Sequence, residues 1–260
     1  MLAPMLIAAS LGSPQIDKPW KQVAPGVETA SAADLGGDSG WAARVLVVDP
    51  TKAQFLVRYD PARPTLQEWR RRFPRALAIL NGSFYSKDPD VRPTCDLISE
   101  GKPFKGAGCR RQDALYFGAR SKTEPVVPAV SRLTPPPRLL VPADFRPEQW
   151  SEALKSFPAL VHGAAAVCGG PHYCAESSRT AAIAQMKDGR ILLFASQWPA
   201  VRREVAKWLA EELGAVEALN LDGGPEATLS LKDESPEDSI GTLGIGLPMV
   251  LVVVGAPLQN

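Results

Sequence analysis

The sequence predicts a single α+β domain built on a large, mostly antiparallel, mixed sheet flanked by a few helices. Three observations lead there. Short apolar runs of strand length recur along the chain and end in turn-forming residues. Only three segments carry helical spacing, near 65–73, 147–157 and 201–213. Twenty-five prolines and 21 glycines interrupt the chain too often for a helical bundle. At 260 residues the chain can bury a substantial core. Its 45% apolar and 22% charged content is ordinary for a soluble globular protein. A formal net charge of +1 gives no electrostatic basis for binding nucleic acid or an anionic membrane.

Residues 1–20 read as a signal-like or disordered leader, and residues 21–260 as the domain. Residues 1–12 resemble the end of a secretory apolar region followed by small residues, although no Lys or Arg precedes it. A short strand is expected near 22–28, then strands at 43–49 and 54–59. Thr65, with Glu68 three residues on, forms a capping box for a helix whose Leu66, Trp69 and Phe73 share a face, and Pro74 stops it. A strand over 76–80 runs into Asn81-Gly82-Ser83-Phe84-Tyr85. A hairpin over 97–104 turns at Glu100-Gly101-Lys102, and a strand follows at 113–117.

Residues 119–145, with Pro125, Pro128 and Pro135-Pro136-Pro137, read as a linker or surface insertion. Pro147 suits the first turn of a short helix over 147–157. A strand from Pro158 ends at His162-Gly163. Strands over 181–186 and 190–195 flank Asp188-Gly189. In the 201–213 helix, Val201, Val205, Trp208, Leu209 and Leu213 share the buried face. Arg202, Arg203, Lys207 and Glu211 share the solvent face, and Gly214 ends the helix. The strand over 216–221 stops at Asp222-Gly223-Gly224-Pro225, and alternation resumes at Ala227, Leu229 and Leu231. The 248–254 run is apolar on both faces, which predicts a central strand. No stretch after the leader is long and apolar enough to span a bilayer as a helix.

Cys95, Cys109, Cys168 and Cys174 form two local pairs, which suits two disulfides (Cys95 with Cys109, Cys168 with Cys174) in an oxidising compartment. The competing reading is a metal site from His162, Cys168, His172 and Cys174, whose spacing matches no standard zinc motif.

Three strand ends place a polar residue beside glycine: Asn81-Gly82, His162-Gly163 and Asp222-Gly223-Gly224. A fourth strand begins at Arg179-Thr180. Each taken alone also reads as an ordinary turn; Asp-Gly and Asn-Gly are strong hairpin signals. Together they supply a carboxylate, an amide, an arginine and hydroxyls, an inventory for a polar, partly anionic ligand. Arg110 and Arg111 are further possible phosphate contacts, though paired loop arginines are often solvated. A phosphate-binding Gly-x-x-x-x-Gly-Lys, a His-Glu-x-x-His and a Gly-x-Ser-x-Gly are all missing.

Three motifs in this order resemble the phosphodiester glycosidase family: Asn81 to Tyr85, Ser178-Arg179-Thr180-Ala181 followed by Asp188-Gly189, and Ala218 to Gly224. The resemblance covers roughly 40–256. The sequence departs from the family pattern at two places. Pro225 and Glu226 stand where a third glycine and small hydroxyl residues are usual, and Ser83 replaces a second glycine after Asn81-Gly82. The resemblance implies a hydrolase that cleaves the bond between a sugar anomeric carbon and a phosphodiester, without a cofactor; the leader and the cysteine pairs add the expectation that it is exported, periplasmic or secreted.

On that reading Asp222, Arg179 and Asn81 are the expected catalytic residues. Asp222 acts at the anomeric centre, Arg179 on the phosphate, and Asn81 orients sugar hydroxyls or phosphate. Thr180, Gly82, Gly223, Gly224, Asn220, His162 and Glu226 are expected to bind substrate. Two other classes stay open at this point: a non-catalytic envelope module that binds glycan, and a metal-dependent hydrolase using Asp222 with His162.

Overall fold

The computed structural model describes residues 19–86, 90–109, 111–120, 135–169, 172–235 and 237–256. Most of the expected leader, Arg110 and the 121–134 part of the proline-rich stretch lie outside the described residues.

The α+β, antiparallel expectation holds, with the strands divided among three principal sheets in one domain. The largest has eight strands in the order Lys21–Ala24, Val27–Ser31, Ala43–Val48, Ile191–Ser196, Ala181–Met186, Ala215–Asn220, Ala159–His162 and Ala165–Ala166. A four-stranded sheet runs Leu229–Leu231, Ala76–Asn81, Met249–Gly255 and Ala53–Tyr59. A five-stranded sheet runs Arg138–Leu140, Leu115–Ala119, Glu152–Ser156, Leu97–Ser99 and Lys102–Phe104. Every strand pair among the described residues is antiparallel, so the parallel component of a mixed sheet is not seen there.

The three sheets bury one shared core. Leu46, Val48 and Ile183 from the first, Phe55, Val57 and Leu251 from the second, and Leu97, Phe117 and Leu154 from the third meet there. Period-two alternation explains why several strands read as apolar on both faces. Leu46 and Val48 face the shared core, whereas Val45 and Val47 face helix α2, Arg202–Glu211, with its Val205, Trp208 and Leu209. Leu251 and Val253 face inward, whereas Val250 and Val252 pack on Trp69 of helix α1, Leu66–Arg72. Met249–Gly255 is accordingly a central strand, as predicted. The Thr65–Glu68 capping box starts α1: Thr65 N donates to Glu68 Oε2 at 2.7 Å, and Glu68 N to Thr65 Oγ1 at 3.4 Å.

One expected helix is absent. Over 147–157 there is only a 3₁₀ turn, Pro147–Gln149, followed by the strand Glu152–Ser156. Ala153 packs outward against Ile98 and Trp150 while Leu154 packs into the shared core, a two-residue period. Pairing on both edges, with Leu115–Ala119 and Leu97–Ser99, overrides local helix propensity. The single strand expected near 22–28 is a hairpin turning at Gly26, whose φ is 75°.

Both disulfides form as expected, Cys95–Cys109 and Cys168–Cys174. The second removes both thiolates from the metal set considered above. Among the described residues no helix is long and apolar enough to cross a membrane.

Phe117 is fully buried and meets Phe55 edge-on at 5.4 Å, where the second and third sheets touch. Phe117→Ala is expected to lower unfolding free energy by about 3–5 kcal/mol in denaturant titration.

Candidate active site at the Asp222 strand end

Antiparallel pairing decides which polar strand ends meet. Asn220 pairs with Ala182, so the end of Ala215–Asn220 lies beside the start of Ala181–Met186. Arg179 and Asp222 are thereby neighbours: Gly224 N donates to Arg179 O at 2.9 Å. The chain then leaves the sheet. Leu229–Leu231 belongs to the four-stranded sheet, so Asp222-Gly223-Gly224 is a crossing between sheets and not a hairpin. That crossing brings Asn81 to Asp222. Asn81 Nδ2 donates to Asp222 O at 2.7 Å, Asp222 N donates to Gly82 O at 3.1 Å, and Thr228 N donates to Asn81 Oδ1 at 2.9 Å.

The glycines have steric reasons. A Cβ on Gly82 would lie 2.5 Å from Met249, and one on Gly223 would lie 2.6 Å from Arg179 O. Gly224 has φ 62°, a left-handed conformation that opens the 3₁₀ turn Gly224–Glu226. This turn brings Glu226 back to Tyr85, whose hydroxyl donates to Glu226 Oε1 at 3.0 Å.

Arg179 donates through Nη1 to Thr242 Oγ1 and through Nη2 to Ala227 O at 2.6 Å. Both acceptors are neutral, and the carboxylate whose field reaches it is Glu226. Burial lowers the Arg179 pKa, against that field, but leaves it a cation at neutral pH. Asp222 is half-buried, and its Oδ1 accepts from Gly223 N at 2.9 Å. Asn81, Asn220 and Thr180 are buried and bonded inward. Asn220 Nδ2 donates to Phe157 O and Leu221 O, and Thr180 Oγ1 to Ser178 O.

The structure does not bring His162 to this place. Its strand runs antiparallel to Ala215–Asn220, so its polar end lies at the opposite end of its neighbour. There His162 Nδ1 sits 3.0 Å from Glu217 Oε2, roughly 16 Å along the strand from Asp222 at about 3.3 Å per residue. Arg111 is not a free phosphate contact, because Asp113 engages it with two bonds at 2.8 and 2.7 Å.

The sequence profile of phosphodiester glycosidases matches residues 74–253, a span that contains all three motifs. The chain belongs to the phosphodiester glycosidase family. Among curated proteins none matches significantly. Solved structures share the fold. The catalytic domain of zebrafish N-acetylglucosamine-1-phosphodiester α-N-acetylglucosaminidase, auto-inhibited by its pro-peptide, superposes with a TM-score of 0.60 at 16% identity, over 82% of this chain and 76% of that one. A hypothetical protein from Synechocystis gives 0.55 at 13% identity, over 81% of this chain and 58% of that one. A protein from Burkholderia pseudomallei K96243 described as exported gives 0.56 at 15%, over 82% and 73%.

Two residues of this candidate site were not assigned from sequence. Tyr85 closes the Asn81 motif, but nothing in its spacing to Glu226 could announce their contact. Arg202, expected on the solvent face of α2, is 6% exposed. At the first turn of the helix it folds inward, donating to Tyr173 O at 2.7 Å and Ser178 Oγ at 2.8 Å. Burial lowers its pKa, opposed by the negative fields of Glu176 and Asp222. Burial also raises the Tyr85 phenol, helped by its bond to Glu226, with the Asp222 charge adding and Arg63 opposing. The Arg63 guanidinium lies 5.3 Å from that ring's centre.

Two measurements test this geometry. Asn81→Ala strands Thr228 N and removes the donor to Asp222 O, and should cost about 1–3 kcal/mol per stranded partner in denaturant unfolding. Folding raises the Tyr85 pKa, so the folded state keeps a proton that the unfolded chain releases near pH 10. That contribution is complete below about pH 10 and is lost as pH rises. Tyr85→Phe should therefore flatten the alkaline fall in thermal stability.

Proposed function

We propose that this chain is an exported hydrolase that cleaves the bond between a sugar anomeric carbon and a phosphodiester, of the N-acetylglucosamine-1-phosphodiester type. The observation that carries the reading is the convergence of Asp222, Glu226 and the cationic Arg179 on one chain crossing between two sheets. Family membership supports glycosidase chemistry, and the two disulfides favour a periplasmic or secreted setting.

In the proposed reaction Arg179 holds the phosphodiester and stabilises the charge that grows as the C1–O bond breaks. The bonding pair leaves with the phosphate oxygen, so no strong general acid is required. Asp222 stabilises the oxocarbenium-like carbon. Water adds its oxygen to C1, and Glu226, oriented by the neutral Tyr85 phenol, takes the proton. Asn81 acts as a positioning residue that sets the Asp222 backbone, since its amide is spent within the protein. Gly82, Gly223 and Gly224 let the backbone segments approach, while Asn220 and Thr180 brace them.

Purified protein should hydrolyse a simple N-acetylglucosamine-1-phosphodiester, and Asp222→Asn, still folded by circular dichroism, should lose about 10³-fold in kcat. Arg179→Lys should lose about 10²-fold, because a point charge does not replace the planar fork. Equal turnover by wild type and Asp222→Asn would reject Asp222 as the acting carboxylate. Absence of turnover with glycan binding retained would leave a binding module.

A further inference from the structure

The large apolar side chains left open to solvent among the described residues are Val167, Tyr173, Trp198 and Leu243. Trp198 and Leu243 lie on the Arg179 side of the crossing, where Gly241 N donates to Gln197 Oε1 at 3.0 Å and Thr242 accepts from Arg179. Val167 and Tyr173 line a cleft of about 730 Å³, within the roughly 300–1,000 Å³ range of small-ligand sites.

This cleft adjoins the Asp222 turn through Arg202. The Arg202 guanidinium donates to Tyr173 O, lies 3.7 Å from Glu176 Oε2, and would be 3.4 Å from a Cβ on Gly223. Tyr173 and Glu176 line the cleft. Pro158, on its floor, accepts from Asn220 N at 3.1 Å. One arginine side chain thus separates the cleft from the proposed reaction centre.

The chemistry of the cleft selects its occupant. Arg111 is neutralised by Asp113 and clamped 4.9 Å from the rings of both Phe157 and Tyr173. Asp113 is spent on Arg111 and Glu176 lies 3.7 Å from Arg202, so the cleft offers a second phosphate no unpaired arginine among its described lining residues. What remains is Tyr173, 41% exposed although Arg111 lies over its ring and Phe157 meets it edge-on, with His162 and His172 also lining the cleft. An exposed aromatic side chain beside hydrogen-bonding imidazoles and already paired charges suits a hydroxyl-rich pyranose. The Cys168–Cys174 bond staples the loop that carries Tyr173, which limits the ordering that binding would cost.

We propose that this cleft is a subsite for a neutral sugar unit of a longer glycan, continuous with the phosphodiester held at Asp222. The assignment rests on the hydrolase reading for its place in a reaction, but binding tests it separately. The probes are chitotetraose and maltotetraose, neutral and without a scissile phosphate, titrated into the Asp222→Asn protein by calorimetry. At least one should bind, Tyr173→Ala in the same background should weaken it about tenfold, and His172→Ala should weaken it as well. Inorganic phosphate should not displace it. Binding of neither tetrasaccharide, unchanged affinity in Tyr173→Ala, or displacement by phosphate would overturn the subsite. None of these results touches the hydrolysis of a minimal phosphodiester, so the two readings fail separately.

Discussion

The structure turns on the amide of Asn81. It is buried at the end of a strand in one sheet, and it holds the chain at the point where that chain leaves another sheet. Its donor caps the Asp222 carbonyl and its acceptor takes Thr228 N. Those two backbone groups bracket Gly223 to Ala227, the segment that contains Glu226 and supplies the carbonyl held by Arg179. A crossing between sheets would otherwise leave polar backbone groups unmatched in a desolvated place, and such groups are costly unless paired. One side chain meets that need and also fixes the backbone of the candidate carboxylate.

Electrostatics add a second constraint at the same spot. Arg179 and Arg202 are both partly or largely desolvated, and each feels a different carboxylate of the crossing, Glu226 and Asp222 respectively. Tyr85 responds in the opposite sense, held neutral by burial and by Glu226. Cations, carboxylates and a neutral phenol are therefore arranged before any ligand arrives. Preorganised charge of this kind is what a reaction that releases phosphate and builds positive charge at carbon would use.

Much of the fold was legible in the sequence because period-two alternation and turn residues are local signals. The 65–73 helix announced itself through Thr65 and Glu68, and the central strand near 248–254 through apolar residues on both faces. The 147–157 segment misled because its strand identity comes from partners on both edges, which a local pattern does not contain. Asn81, Arg179 and Asp222 could be named from motifs. Their meeting, and the exclusion of His162, depended on strand direction within the eight-stranded sheet. Arg202 and the Tyr85–Glu226 contact were hidden for the same reason, since non-local pairing alone places them.

The central claim is that the bond broken is the one at the sugar carbon, with phosphate as leaving group. Hydrolysis of an N-acetylglucosamine-1-phosphodiester in ¹⁸O-labelled water separates this from attack at phosphorus. Label in the sugar at C1, with none in the phosphate product, is the expected result. Label in the phosphate would mean that water attacks phosphorus, and would contradict the roles given to Asp222 and Arg179.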